Sequence, residues 1–254
     1  MPHSARVWNY WLGGKDNYQV DRDAGDDFAA NCPEIISLAK QSRQFLVRAV
    51  RHLVTEAGVR QFLDIGTGLP TMDNTHQVAQ RAAPDCRIAY VDNDPLVLAH
   101  ARALLVNTTP EGVTAYVQAD FHDPELIVAD AKNILNFNLP VGVMFMGVLG
   151  HARDYDTARS IVARVMDSVP SGSYLALWES NDTDPNMNAL CEDYKRTGAV
   201  PYIPAPVEQI RRCFDGLDMV EPGFGSITQW RPDPADLGEV APLEVATGAV
   251  ARKP

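Results

Sequence analysis

Three aspartates, at 64, 92 and 120, stand at the ends of three successive apolar runs. The first run, Phe62-Leu63-Asp64-Ile65, passes directly into Gly66-Thr67-Gly68. Glycines at alternate positions permit a sharp strand-to-helix turn whose backbone can come close to a ligand. Asp64, just before the turn, can face an amine or a backbone N–H. The second run, Arg87-Ile88-Ala89-Tyr90-Val91, ends in Asp92-Asn93-Asp94-Pro95. An acidic residue at the tip of the strand after a glycine turn, about 20 residues on, is placed to accept from both hydroxyls of a ribose. Asp92 or Asp94 could instead cap the helix that Pro95 opens. Asp94 is read as the cap and Asp92 as the ribose ligand. The third run, Tyr116-Val117-Gln118-Ala119, ends in Asp120-Phe121. It offers an acceptor for an adenine amino group and a ring to pack on the base. A lone aspartate before a turn is ordinary; three in series argue for a nucleoside site. A dinucleotide fold would add a glycine three residues after Gly68. Thr71 stands there, and with Asp64 ahead of the turn it argues against a nicotinamide-dependent oxidoreductase.

Such residues need a sheet to hold them in line. Strand patterns recur at 61–65, 87–91, 113–118, 141–146 and 173–179, with helical stretches near 74–82, 95–105, 124–136 and 156–168. This alternation predicts right-handed βαβ crossovers and a parallel sheet. Val141 to Met146 is apolar on both faces, as a central strand must be. A helix over 204–214, opened by Pro206, precedes runs at 217–221 and 246–252, read as a closing hairpin-like pair with a long insert. Residues 1–58 precede a core of 59–254, and 34–55 carries apolar residues at three- and four-residue spacing. Ahead of that helix lies Gly13-Gly14-Lys15-Asp16-Asn17, which has no apolar period and is dense in binding groups. It reads either as a solvated turn with a local ion pair or as part of a site.

The chain resembles an actinobacterial S-adenosylmethionine-dependent methyltransferase-like family. The resemblance rests on Gly-Gly-Lys-Asp-Asn within residues 9–18, Gln-Phe-Leu-Asp-Ile-Gly-Thr-Gly-Leu-Pro-Thr at 61–71, and Tyr-Val-Asp-Asn-Asp-Pro at 90–95. Val-Glu-Pro-Gly at 220–223 and Gln-Trp-Arg-Pro at 229–232 extend it over nearly the whole chain. In that family a His commonly follows directly after the Leu that comes after the fourth strand; here Gly150 separates Leu149 from His151. The resemblance implies an α/β, Rossmann-like three-layer sandwich. Its sheet would be mostly parallel and seven-stranded, with an antiparallel C-terminal strand and an N-terminal helical cap. It also implies S-adenosylmethionine as cofactor.

On that footing Asp64, Asp92 and Asp120 would hold the amine side, ribose and adenine, with Gly66, Thr67, Gly68, Asn93 and Phe121 around them. The helix after Gly68 would offer its N-terminal N–H groups to the methionine carboxylate. The 13–17 segment (Gly13, Gly14, Lys15, Asp16, Asn17) would close as a lid that excludes water. Tyr10, Trp11 or Tyr18 could cover the sulfonium with a ring face, Trp11 being read first as packing. Acceptor groups should come from the ends of the fourth and fifth strands, namely Met146, Gly147, His151, Trp178, Glu179 and Asn181. His151 is a candidate general base, and Glu179 a base or an anchor for a substrate amine. Their structural alternatives are packing around a glycine loop and burial at a strand end. No Asn-Pro-Pro-Tyr follows the fourth strand and no metal-spaced His/Asp/Glu cluster occurs. Methylation of an amide by that device and a metal-dependent reaction are therefore not expected.

The net charge of −11 and the lack of a basic run disfavour a nucleic-acid partner. Cys32, Cys86, Cys191 and Cys213 are scattered, without a Cys-x-x-Cys pair, and read as reduced thiols. With no signal core and no apolar stretch of membrane length, a cytoplasmic protein is expected. The reading is a methyltransferase acting on a small, uncharged or cationic molecule; the family's setting suggests secondary metabolism. Its rivals are a S-adenosylmethionine-binding protein without transferase activity and, behind that, the oxidoreductase.

Overall fold

Short runs of β-branched and aromatic residues make the central strands: β1 (Gln61–Ile65), β2 (Arg87–Asp92), β3 (Val113–Gln118), β4 (Gly142–Met146) and β5 (Tyr174–Ser180). In the computed structural model, which describes residues 1–95, 97, 99, 107–233 and 242–254, these five pair in parallel in the order β3-β2-β1-β4-β5. The helix expected over 95–105 falls largely outside the described residues. β6 (Asp218–Met219), β7 (Gly225–Ser226) and β8 (Ala246–Arg252) complete the sheet. β8 runs antiparallel to β5 and carries β6 and β7 on its other edge, where they act as one interrupted strand. The expected seven positions are present, with two-residue β7 as an addition.

Side chains alternate across the sheet, so each strand feeds two cores. Phe62, Ile88, Tyr90, Met144, Ala176 and Trp178 face one side. There they meet α1 (Ser4–Trp11), α2 (Gln19–Asn31), α3 (Glu34–Thr55) and α4 (Thr75–Ala82). Leu63, Ile65, Ala89, Val91, Val143, Phe145, Leu175 and Leu177 face the other. They pack on α5 (Pro124–Ala131) and α6 (Tyr155–Ser168). The result is a three-layer sandwich. α3 buries its apolar stripe from Ile35 to Val54 and the buried Arg48, whose guanidinium donates to the carbonyls of Ile227 (2.6 Å) and Trp230 (2.9 Å).

Three helices were not evident from periodicity: α1, α2 and α7 (Pro185–Arg196). α7 is opened by Asp184, whose side chain accepts from Asn186 and Met187 N–H, and by Pro185 at its first position. The helix expected from 204 begins instead as α8 (Val207–Arg211), because Pro206 sits at its N-cap with non-helical angles (φ −52°, ψ 136°). α1 and α2 are tied by Asp21, which is fully buried. It accepts from Arg6 Nε at 2.7 Å and from the N–H groups of His3 and Tyr18, both at 2.9 Å. Burial works to raise the Asp21 carboxyl, but these three donors outweigh it and hold it below the usual aspartate value.

Candidate active site

The carboxyl ends of β1, β2 and β4 open into a cavity of about 280 Å³, the place where parallel α/β sheets bind ligands. Asp64, Gly66, Thr67, Gly68, Asp92, Asn93, Asp120, Phe121, Gly147 and His151 all line it, as do Met146 and Trp178. The sheet register explains the convergence: Asp64 is level with Tyr90 on β2 and Met144 on β4, so the strand tips end at one height.

The glycine turn must be glycine twice over. Gly66 has φ +74°, and a Cβ there would lie 2.4 Å from Val148 Cγ2. Gly147 has φ +77°, and its Cβ would strike the Trp178 ring at 2.6 Å. Close backbone approach on both sides leaves the cavity its width.

The three aspartates differ in their surroundings. Asp64 is buried and accepts from Thr75 Oγ1 at 2.6 Å. Burial raises its carboxyl to about 6, with the Thr75 bond and the charge of Arg43 pulling the other way. Asp92 accepts from Gly68 N and Asp94 N, both at 2.9 Å, so it shapes the turn. Each of its oxygens keeps a second lone pair. Burial raises Asp92 as well. Asp120 accepts from the N–H and Nδ1 of His122 (3.0 and 2.7 Å) and from Asn93 Nδ2 (3.0 Å). Against the upward pull of burial, these bonds hold it below the usual value. Phe121 is buried beside it and lies against the His122 ring, centroids 4.1 Å apart.

The N-terminal residues arrange themselves differently from the expectation. α1 presents Ala5, Trp8, Asn9 and Leu12 to the cavity, with His3 and Ser4 ahead of them. This is the i, i+3, i+4, i+7 face of a helix. Tyr10, two residues beyond Trp8, is turned off that face and donates its hydroxyl to Asp26 at 2.7 Å. Gly13, Gly14, Lys15, Asp16 and Asn17 do not line the cavity. Instead, Asp16 N (3.0 Å) and Asn17 Nδ2 (2.9 Å) both donate to Asn9 Oδ1, and Gly14 N donates to the Asn9 carbonyl. The loop thus holds one amide in the cavity wall, with Asn9 Nδ2 making no hydrogen bond among the described residues.

Two further groups were not singled out by the sequence. Arg43, on α3, lines the cavity and makes no hydrogen bond or ion pair among the described residues. It fits an anion better than the first turn of α4 does. That turn is already served: Asn74 caps it, and the Tyr90 hydroxyl accepts from His76 N at 2.8 Å. Trp178 reaches the cavity, and its buried Nε1 makes no hydrogen bond among the described residues. The signal for Arg43 was present as a polar break, Ser42-Arg43, in the otherwise apolar spacing of 34–55.

His151 and Glu179 separate in role. His151 lines the cavity, and its Nδ1 lies 2.7 Å from the Pro201 carbonyl. A carbonyl only accepts, so Nδ1 carries the proton and Nε2 keeps a lone pair. Burial lowers the His151 pKa, keeping the ring neutral near pH 7. Glu179 is buried and does not line the cavity. It accepts from the N–H groups of Leu149 (2.7 Å) and Gly150 (3.1 Å) and from the Tyr202 hydroxyl (2.8 Å). Burial raises it to about 7. Asn181 does not line the cavity either and donates to the Glu244 carbonyl. Among the described residues no metal-binding cluster of His, Cys, Asp or Glu occurs, and no helix is long and apolar enough to cross a membrane.

Comparison with known proteins identifies the fold and the family. A protein of the DUF574 family from Streptomyces avermitilis is 40% identical, with a TM-score of 0.93 over 100% of this chain and 98% of its own. A candidate methyltransferase from Thermobifida fusca is 39% identical, with a TM-score of 0.89 over 99% and 95%. An S-adenosylmethionine-dependent methyltransferase from Anabaena variabilis, 16% identical with a TM-score of 0.54 over 98% and 95%, shares the fold. No curated protein matches. The profile of the S-adenosyl methyltransferase family matches residues 1–254, and the chain belongs to that family as an S-adenosylmethionine-dependent methyltransferase.

Proposed function

We propose that the cavity holds S-adenosylmethionine with Asp92 at the ribose and Asp120 and Phe121 at the adenine. Arg43 and Asn9 Nδ2 would meet the methionine carboxylate, and Asp64 the amine. The observation that carries this reading is the match between unspent groups and ligand chemistry. Asp92 keeps free lone pairs, while Arg43 and Asn9 Nδ2 are donors without protein partners among the described residues. The bound cofactor supplies an activated methyl group. The protein's part is to hold the acceptor in line and exclude water. α1 forms the wall that does the excluding, so residues 1–18 are read as a lid on a core that includes α3. The acceptor is a small molecule reaching the cavity beside His151. Glu179 acts as a positioning residue for the 149–151 turn.

Support for the actinobacterial assignment comes from the two most similar structures quoted, both from actinobacteria. Cytoplasmic location and a place in secondary metabolism remain expectations of the family resemblance. The test is calorimetric titration with S-adenosylmethionine and its demethylated product. Both should bind. Asp92→Asn, which keeps the side chain's shape, should weaken binding roughly tenfold or more, the size of a charged hydrogen bond. Undiminished affinity would overturn the ribose assignment.

A further inference from the structure

Beside the cofactor cavity lies a second recess of about 50 Å³. The two share Ser4, Trp8 and His151 in their walls, so the recess adjoins the cofactor cavity at His151. α1, α2 and α7 supply most of its lining. Trp8 and Trp11 meet edge-on at 5.7 Å and 73°, Trp11 and Phe28 at 5.7 Å and 70°, and Phe28 and Tyr194 at 5.9 Å and 70°. An incoming ring would extend this edge-to-face series, the arrangement aromatic quadrupoles favour. Among the described residues, no Asp, Glu, Lys or Arg lines the recess. A cationic amine would leave water there without a counter-charge, at a cost far above that of a neutral ring. Tyr194 Oη makes no hydrogen bond among the described residues, and the residue is 7% exposed. It lies in the recess wall, able to meet a second polar substituent on the ligand.

We propose that the methyl acceptor is an uncharged aromatic molecule whose ring enters this recess and whose acidic hydroxyl meets His151 Nε2. The proposal rests on the S-adenosylmethionine reading of the neighbouring cavity. In the transfer, an oxygen lone pair forms the new O–C bond as the sulfonium S–C bond breaks onto sulfur. The hydroxyl proton passes to His151 Nε2, and the resulting imidazolium keeps its other proton on Nδ1, donating to the Pro201 carbonyl. A neutral imidazole is a weak base. A phenolic hydroxyl, with pKa about 10, is within its reach, whereas an aliphatic alcohol, close to the 15.7 of water, is not. Half-buried Trp8 stands between the recess and the cofactor cavity and lines both.

Ligand-observed NMR on the intact protein tests this, with S-adenosylhomocysteine saturation first verified by calorimetry. Phenol and 1-naphthol are titrated into that complex, with cyclohexylamine as the cationic control. The aromatic alcohols should bind roughly tenfold or more tightly than the amine, the discrimination a matched apolar pocket provides. Met187→Trp, which fills the recess from α7, should abolish 1-naphthol binding while leaving S-adenosylhomocysteine affinity unchanged. Should that variant lose cofactor affinity through misfolding, Met187→Phe is read in its place and should weaken 1-naphthol in the same direction. Equal binding of the amine, absence of phenol binding to the loaded protein, or indifference to filling at 187 would each overturn the proposal. Failure of S-adenosylhomocysteine itself to bind would instead remove the cofactor reading beneath it.

Discussion

Asp64 sits at the junction of burial and charge. Its carboxyl is raised to about 6 because burial disfavours the anion more than Thr75 and Arg43 restore it. If it holds the cofactor amine, it must be ionised to do so. Cofactor affinity should then be full well above pH 6 and fall as pH drops through that value. Titration calorimetry across pH 5–8 checks this, and Asp64→Asn should be weaker and flat over the same range. Glu179 gives the opposite kind of test. As a positioning residue it acts through its acceptor oxygens, of which Gln retains one, so Glu179→Gln should lose less activity than Glu179→Ala and keep the pH profile of kcat. Glu179→Ala strips two backbone N–H groups of their acceptor and should lower kcat by an order of magnitude or so through His151, with cofactor affinity held. Equal loss in both variants would make Glu179 the base.

At the scale of elements, the Gly13-Gly14 pair separates two physical roles of glycine. Gly13 has φ +78° with open space where a Cβ would be, so Gly13→Ala costs only backbone strain of about 1 kcal/mol. At Gly14 a Cβ would lie 2.3 Å from Asn9 Nδ2. Gly14→Ala must therefore displace the amide in the cavity wall, and it should weaken S-adenosylhomocysteine binding several-fold while Gly13→Ala leaves it nearly intact. Calorimetry on the two variants decides the matter. The loop acts through α1, and α1 acts through the face that carries Trp8 and Asn9.

Across the whole molecule, the N-terminal helices are held by one buried carboxylate. Replacing Asp21 with Asn leaves Arg6, only 14% exposed, without its counter-charge, and breaking a mostly buried pair costs about 3 kcal/mol. In a chain of this size that corresponds to a fall in Tm of about 6–12 °C, measurable by calorimetric unfolding. The pH sign follows from the lowered Asp21 value. Its stabilisation is complete above the ordinary aspartate value of 3.8 and is lost as pH falls through the lower folded value. A Tm unchanged in Asp21→Asn would mean that the pair merely decorates a packing contact between α1 and α2.

The parallel strands and the three aspartates at their tips were legible in the sequence, because a strand needs only a local apolar run and its tip is marked by where that run stops; the strand order was not. The glycine turn was legible for the same reason: its constraint lies within neighbouring residues. Helices α1, α2 and α7 were hidden because they are short or polar and owe their stability to packing on α3 and one another. Which face of α1 meets the cavity followed only from that packing, and it turned Tyr10 outward and Asn9 inward. Arg43 is 21 residues before Asp64 in the chain, and nothing local links them; the sheet and α3 bring their charges together. The burial that lifts Asp64, seals Glu179 beneath the 149–151 turn and frees His151 Nε2 is likewise a property of assembled layers. Local sequence determined the strands and the glycine turn on which the proposed nucleoside site is built. Tertiary packing decided which side chains remain unspent to bind it, since desolvation and partner choice exist only once the layers have closed.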